Sequence, residues 1–294
     1  MFDVRLASVT YSIVGRDEAS GELGVAVQSR AFGVGMCAWA RPGVGAVATQ
    51  SFTERGYGPR GLDLLAAGES PADALGQLVE ADEQRDFRQV AFLAADGRAA
   101  THTGAACIPD CGHVERRGVS AQGNMLASSA VWHAAANAFE AMEGPLAERL
   151  LAALDAAEAA GGDFRGRESA ALVVVSGDRE EQPWDRVFDL RVDNHAEPLS
   201  ELRRLHGIAA AYRRRRTFDE QTDLEVEVDV ALSAGLPADQ VTLTAALVAV
   251  AHDDLDEAAA RFRPVTDSDA RWREALERYV RLGFVPPGVL DRLS

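Results

Sequence analysis

Residues 10–50 read TYSIVGRDEASGELGVAVQSRAFGVGMCAWARPGVGAVATQ. Residues 8–15 alternate and carry β-branched and aromatic types, which is the period of a strand with a buried face, and 23–29, LGVAVQS, reads as a second strand. The intervening RDEASGE supplies turn chemistry, with Asp17 and Gly21 in it, so the two strands form a hairpin. Two more strands are expected at 31–40 and 43–51, joined at Arg41-Pro42-Gly43. Their glycines point to bulges or close backbone approach. Thr10, Ser12, Gln28, Ser29, Thr49, Gln50 and Ser51 put many hydroxyl and amide groups into these strands, enough to furnish the floor of a pocket.

Working outward, residues 51–61 read as a loop and 62–68 and 70–82 as helices. The second helix is opened by Ser70 as cap, with Pro71 at its first position and Asp73 three after the cap. Residues 88–104 form a hairpin turned at Asp96-Gly97. A short strand and loop at 117–124 lead into an alanine-rich helix over 125–142, and a second helix over 145–162 stops at Gly161-Gly162. Strands at 169–177 and 186–193 and a helix at 198–212 follow. Strands and helices come in blocks instead of alternating, so antiparallel sheets with helices outside are expected, and a doubly wound sheet is not. The fold class is therefore α+β, a four-layer αββα sandwich over 1–212. The arginine-rich stretch 213–223 reads as a solvated linker. Residues 217–294 read as a small helical C-terminal appendage of two or three helix pairs.

The net charge of −16 disfavours nucleic acid and anionic membranes as partners. No apolar run reaches the ~18 residues of a membrane span. The opening MFDVRLASVTYS has no apolar core of a secretory signal, so the cytoplasm is the expected location. A homodimer or higher homo-oligomer is expected, with the C-terminal helices free to meet a protein partner. All 30 basic residues are arginine. Without a lysine there is no Schiff-base chemistry, no pyridoxal phosphate attachment, no phosphate-loop lysine and no Ser-Lys dyad. No cofactor is expected.

The sequence holds no G-x-S-x-G elbow, phosphate loop or dinucleotide fingerprint. Its six histidines are scattered. His102, Cys107, Cys111 and His113 are of types that suit zinc, but the spacing H-x4-C-x3-C-x-H matches no familiar zinc knuckle, and no metal site is expected. Cys37, Cys107 and Cys111 do not make a disulfide framework. Neither Cys37 nor Cys107 has a base near it in sequence to make it a nucleophile. What remains is a threonine at the head of a strand.

TYSIVGRDEASGELGVAVQSRAFGVG at 10–35, RPGVGAVATQSF at 41–52, YGPRGLDLLAAG at 57–68, HTGAACIP at 102–109, VSAQGNMLAS at 119–128 and RGRESAALVV at 165–174 together resemble the family known as domain of unknown function 1028. The resemblance runs over about residues 8–211. That family is grouped with the N-terminal nucleophile (Ntn) hydrolases, whose fold is an αββα sandwich. In those enzymes the first residue of the mature chain attacks an amide carbonyl while its own α-amine takes the proton. An α-amine has a pKa near ~8 and serves as a base without lysine or histidine. The resemblance implies Thr10 as nucleophile once residues 1–9 are removed, with Arg30 as the cation that stabilises negative charge. It sets Gln28, Ser29, Thr49 and Gln50 beside the nucleophile. It also implies an oxyanion hole from a backbone N–H of Gln122, Gly123 and Asn124 or from the Asn124 amide, with Glu168 and Ser169 at the head of a nearby strand. Two functions are consistent with this: an amide-bond hydrolase acting on a small molecule or peptide, or a non-catalytic ligand-binding or assembly module on the same fold.

Overall fold

The computed structural model describes residues 7, 8, 10–214 and 224–294. Two compact units divide between Arg203 and Arg204. In chain order the first unit contains the strands β1 (Ala7–Ser8), β2 (Thr10–Arg16), β3 (Leu23–Ser29), β4 (Ala38–Arg41) and β5 (Gly45–Phe52), then the helices α1 (Tyr57–Ala66) and α2 (Pro71–Glu80). The strands β6 (Arg88–Ala94), β7 (Ala99–Thr103), β8 (Gly112–Arg116) and β9 (Val119–Asn124) follow. Helices α3 (Ala130–Ala141) and α4 (Leu146–Ala159), strands β10 (Ser169–Val175) and β11 (Arg186–Val192), and helix α5 (Pro198–Arg214) complete the series. The division between the units falls inside α5.

The strands make two antiparallel sheets. One has the order β1-β5-β6-β7, with β4 also on β5; the other has the order β11-β10-β3-β2-β9-β8. Alternate residues of β2, β3 and β10, among them Val14, Val25, Val27, Ala171 and Val173, face Ala46, Ala48, Ala91 and Leu93 of the other sheet in one buried cluster. Each such valine or leucine contributes about 1.5–3 kcal/mol of burial. The outer face of the first sheet is covered by α1 and α2, which pack Tyr57, Leu62, Leu65, Ala74 and Leu75 on Val47, Val90 and Phe92. The outer face of the second is covered by α3 and α4, where Gly15 and Gly24 let Phe139 and Leu150 come down onto the strands.

Several local expectations are corrected. Residues 31–40 are not one strand. Gly33 takes φ 66°, a short 3-10 turn follows over Val34–Cys37, and only Ala38–Arg41 is extended. The expected loop 51–61 holds the first turn and more of α1, because Pro59 is tolerated early in a helix and Gly61 is needed there. A Cβ on Gly61 would stand 2.2 Å from the Phe92 ring. The helix expected from 125 begins only at Ala130, after Met125 at φ 49° and a bridge from Leu126 to Asp163. Strand β8 was not foreseen, since GHVER carries no strong strand signal and is held by its ladder to β9.

The second unit contains α6 (Leu224–Ser233), α7 (Ala238–Ala251), α8 (Leu255–Ser268), α9 (Ala270–Arg281) and α10 (Pro287–Leu293). Ala246, Ala249, Ala258, Phe262, Leu276 and Val289 form its main core. The stretch 242–263 is two helices, broken where Asp253 takes φ 60° and Asp254 caps α8 by accepting from the Glu257 N–H at 2.9 Å. Arg213 and Arg214 belong to α5, and the rest of the expected linker, 215–223, lies outside the described residues. No described helix is long and apolar enough to cross a membrane.

Two glycines make a paired test of this packing. Gly61→Ala drives a methyl into Phe92 and should lower stability by about 1–3 kcal/mol. Gly76→Ala, in α2 with nothing within 4 Å of a new Cβ, should raise it by up to about 1 kcal/mol. Urea unfolding followed by tryptophan fluorescence checks both.

Candidate functional site

The polar residues of the organising stretch are brought together by strand alternation. Thr10 and Ser12 share the inner face of β2 with Val14, and Ser29 shares that of β3 with Val27. In the ladders Thr10 is opposed by Ser29 on one side and by Asn124 of β9 on the other, while Ser12 is opposed by Gln122. From the other sheet Gln50 of β5 and Gln89 of β6, also register partners, reach across the gap. Thr10, Ser12, Ser29, Gln50, Gln89, Gln122 and Asn124 are all at most 3% exposed. The apolar inter-sheet core thus gives way, at the Thr10 end, to a buried polar layer.

The layer is a directed hydrogen-bond network. Gln89 Nε2 donates to the main-chain carbonyls of Gly123 at 2.8 Å and Gly112 at 3.1 Å, and to Thr103 Oγ1 at 3.0 Å. Carbonyls only accept, so they set the orientation of the Gln89 amide. Its Oε1 then receives Gln50 Nε2 at 2.8 Å and Asn124 Nδ2 at 3.1 Å. Gln50 Nε2 also donates to the Thr10 carbonyl at 3.0 Å, and Gln50 Oε1 accepts from Ser12 Oγ at 2.7 Å. The Thr10 hydroxyl donates to Ser29 Oγ at 3.2 Å. Gln122 Nε2 reaches Ser12 Oγ and the Ala48 carbonyl, each at 3.3 Å. Two acceptors on β9, Asn124 Oδ1 and Gln122 Oε1, are buried without a donor among the described residues.

Other expected site residues lie elsewhere. Gln28 points to the opposite face of β3, the one α4 covers, where both its amide atoms are buried without a partner among the described residues. Beside it Tyr11 donates to Glu158 Oε2 at 2.8 Å, and burial, then the Glu158 charge, push its phenol well above the ordinary value. Thr49 lies on the outer face of β5 and donates to the Glu54 carbonyl at 3.4 Å. Arg30 follows β3, half exposed and ion-paired with Glu168. Its main-chain N–H donates to Asp163 Oδ2 at 2.9 Å. Ser169 ties the same turn down, donating to the Ala31 carbonyl at 2.5 Å and accepting the Val34 N–H at 3.0 Å. Gly123 contributes its carbonyl to Gln89, and a Cβ there would meet Leu126 at 2.2 Å.

Gln89 was missed by sequence reasoning. It shares its inner face with Ala91 and Leu93 in a strand that is apolar from Val90 onward, and a glutamine in that position is the signal that could have exposed it.

Burial raises the thiol pKa of Cys37 and of Cys107, so neither is held as a thiolate. His102 bonds the Arg85 carbonyl at 2.8 Å and His113 bonds Thr103 Oγ1 at 2.9 Å. Among the described residues no group of three or more His, Cys, Asp or Glu side chains is arranged to hold a metal ion.

Two antiparallel sheets with helices outside and a buried amide-hydroxyl layer at one end define a mixed α/β protein whose polar centre is built from strand residues. The chain belongs to the family of unknown function DUF1028, whose model matches residues 10–202. It is similar to a crystal structure of the DUF1028 protein SPO2555 from Silicibacter pomeroyi, at 32% identity and a TM-score of 0.62, over 72% of this chain and 91% of that one. No curated protein matches the chain.

The network and the orphan glutamine behave oppositely on substitution. Gln89→Met strips partners from buried carbonyl and amide groups and should lower stability by about 2–4 kcal/mol. Gln28→Met removes an amide that has no partner among the described residues and should be neutral within about 1 kcal/mol or stabilising. Equal losses in urea titrations would show that Gln28 is held as firmly as Gln89.

Proposed function

We propose that the helix pair, sheet, sheet and helix pair form the αββα sandwich of the Ntn hydrolases, and that the chain hydrolyses an amide bond in a small molecule or peptide with Thr10 as nucleophile. The observation that carries this is the setting of Thr10. It heads a central strand, fully buried, with its hydroxyl on Ser29, its carbonyl on Gln50 and Asn124 opposite it. A threonine merely starting a strand does not need an amide reaching over from the second sheet to bind its carbonyl.

The chemistry requires a free amine on Thr10, hence removal of residues 1–9. Ala7 and Ser8 pair with Phe52 and Ser51 of the first sheet, whereas Thr10 onward belongs to the second. Cleavage before Thr10 therefore forfeits a two-residue ladder and leaves β2 paired on both sides. In the reaction the Thr10 Oγ–H proton passes to the α-amine as Oγ bonds to the substrate carbonyl carbon. The carbon–nitrogen bond breaks as that proton reaches the leaving amine, and water then hydrolyses the ester to free Thr10. Arg30 is paired with Glu168 at the end of β3, so its part is to hold the rim of this end of the sheet.

Intact-mass measurement and N-terminal mapping of the protein from its native cell test this directly. The expected result is a chain beginning at Thr10, with Thr10→Ala left uncut and inactive toward amide substrates. A native protein that keeps residues 1–9 overturns the proposal in favour of a binding or assembly role.

A further inference from the structure

Of the two β9 acceptors without a donor among the described residues, Asn124 Oδ1 is on the residue opposite Thr10, and its polarity says what belongs there. The Gly112 and Gly123 carbonyls orient Gln89, and Gln89 Oε1 in turn draws the Nδ2 end of Asn124 toward itself. Turning the Asn124 amide over would set two carbonyl oxygens face to face. Asn124 Oδ1 is thereby left buried with no donor among the described residues. A buried carbonyl without a partner costs about 1–3 kcal/mol, so a donor is called for.

Neighbouring donors are engaged: the Thr10 hydroxyl with Ser29, the Ser12 hydroxyl with Gln50, and Gln50 Nε2 with Thr10 and Gln89. The charged groups at this end are joined to each other, Arg30 to Glu168, Arg165 to Asp163 and Arg88 to Asp82, and Tyr11 with Glu158 occupies the opposite face of β2. Cys107 donates to the Arg88 carbonyl. Asn124 is the direct register partner of Thr10, and opposed residues in such a ladder have Cα atoms about 4.5–5.5 Å apart. The main-chain nitrogen of Thr10 is within reach of one amide side chain at that separation.

Resting on the reading that Thr10 carries a free amine, we infer that Asn124 Oδ1 accepts a hydrogen bond from that amine and holds it toward the Thr10 hydroxyl. Asn124 is then a positioning residue for the base, and its Oδ1 is not part of an oxyanion hole. Before cleavage there is no amine to hold, so this role of Asn124 Oδ1 belongs to the mature protein, while its Nδ2 already bonds Gln89 in the uncut chain.

The lysine-free sequence makes the test clean, because the N-terminal amine is the only amine in the chain. Competitive acetylation with trace acetic anhydride across pH, read by mass spectrometry, gives its titration midpoint with no substrate. An acceptor on the charged form raises an amine's pKa. Asn124→Leu should therefore move the Thr10 midpoint down by about one unit, and Asn124→Asp, which adds a negative charge, should move it up by about as much. Should the leucine variant not fold, Asn124→Ser, which withdraws Oδ1, moves it down too. Opposite shifts in the two directions support the inference, since a purely structural residue would not produce them. Midpoints that stay together in a chain beginning at Thr10 overturn it. Acetylation found on Met1 instead shows that the chain is uncut and overturns the underlying reading.

Discussion

Two main-chain carbonyls, those of Gly112 and Gly123, can only accept hydrogen bonds, and the polar centre of this protein follows from that. They orient the Gln89 amide, which orients those of Gln50 and Asn124, and Gln50 in turn holds the Thr10 carbonyl and receives the Ser12 hydroxyl. In a buried inter-sheet layer an amide turned the wrong way would strand several groups at once, so the orientations support one another. The same network joins the two sheets at one end, where the small side chains of the inter-sheet core give way to amides.

The packing around this layer is what makes it possible. Alanines at 46, 48 and 91 let the first sheet lie close to the valines of the second. Gly15 and Gly24 admit Phe139 and Leu150 onto the outer side of β2 and β3. The central strands are thus covered on both faces, and Thr10, although at a strand end, has no contact with solvent. The layer holds no lysine, and its one histidine, His113, reaches it only at the exposed edge through Thr103, so its interior consists of hydroxyls, amides and main-chain groups. The proposed α-amine base and the unmet Asn124 oxygen fit that inventory together.

Much of the scaffold was legible along the chain. Alternation in 8–15 and the apolar, valine-rich run of 23–29 gave strands, and the cap at Ser70 with Pro71 gave the start of α2, whose Asp73 N–H does donate to Ser70 Oγ at 3.1 Å. Elements held by distant partners were not legible. The first turns of α1 carry two glycines and a proline and form because they fit against Trp39 and Phe92. GHVER extends because β9 offers it a ladder. For the site, residue type singled out Thr10, Ser29, Gln50, Gln122 and Asn124, which the fold assembles, but also Gln28 and Thr49, which point away from it.

The sequence by itself determined that 10–16 and 23–29 are strands with hydroxyl and amide residues at one end, and that no lysine takes part in any chemistry, because residue pattern and composition are local properties. Tertiary structure alone decided which faces meet. A strand shows its alternation but not which of its two faces will find the other sheet, so only pairing and stacking could put Gln28 under a helix and Gln89 beside Thr10. The register of β2 with β9 set Asn124 against Thr10, and two carbonyls contributed by β8 and β9 decided which end of that amide is left to meet it.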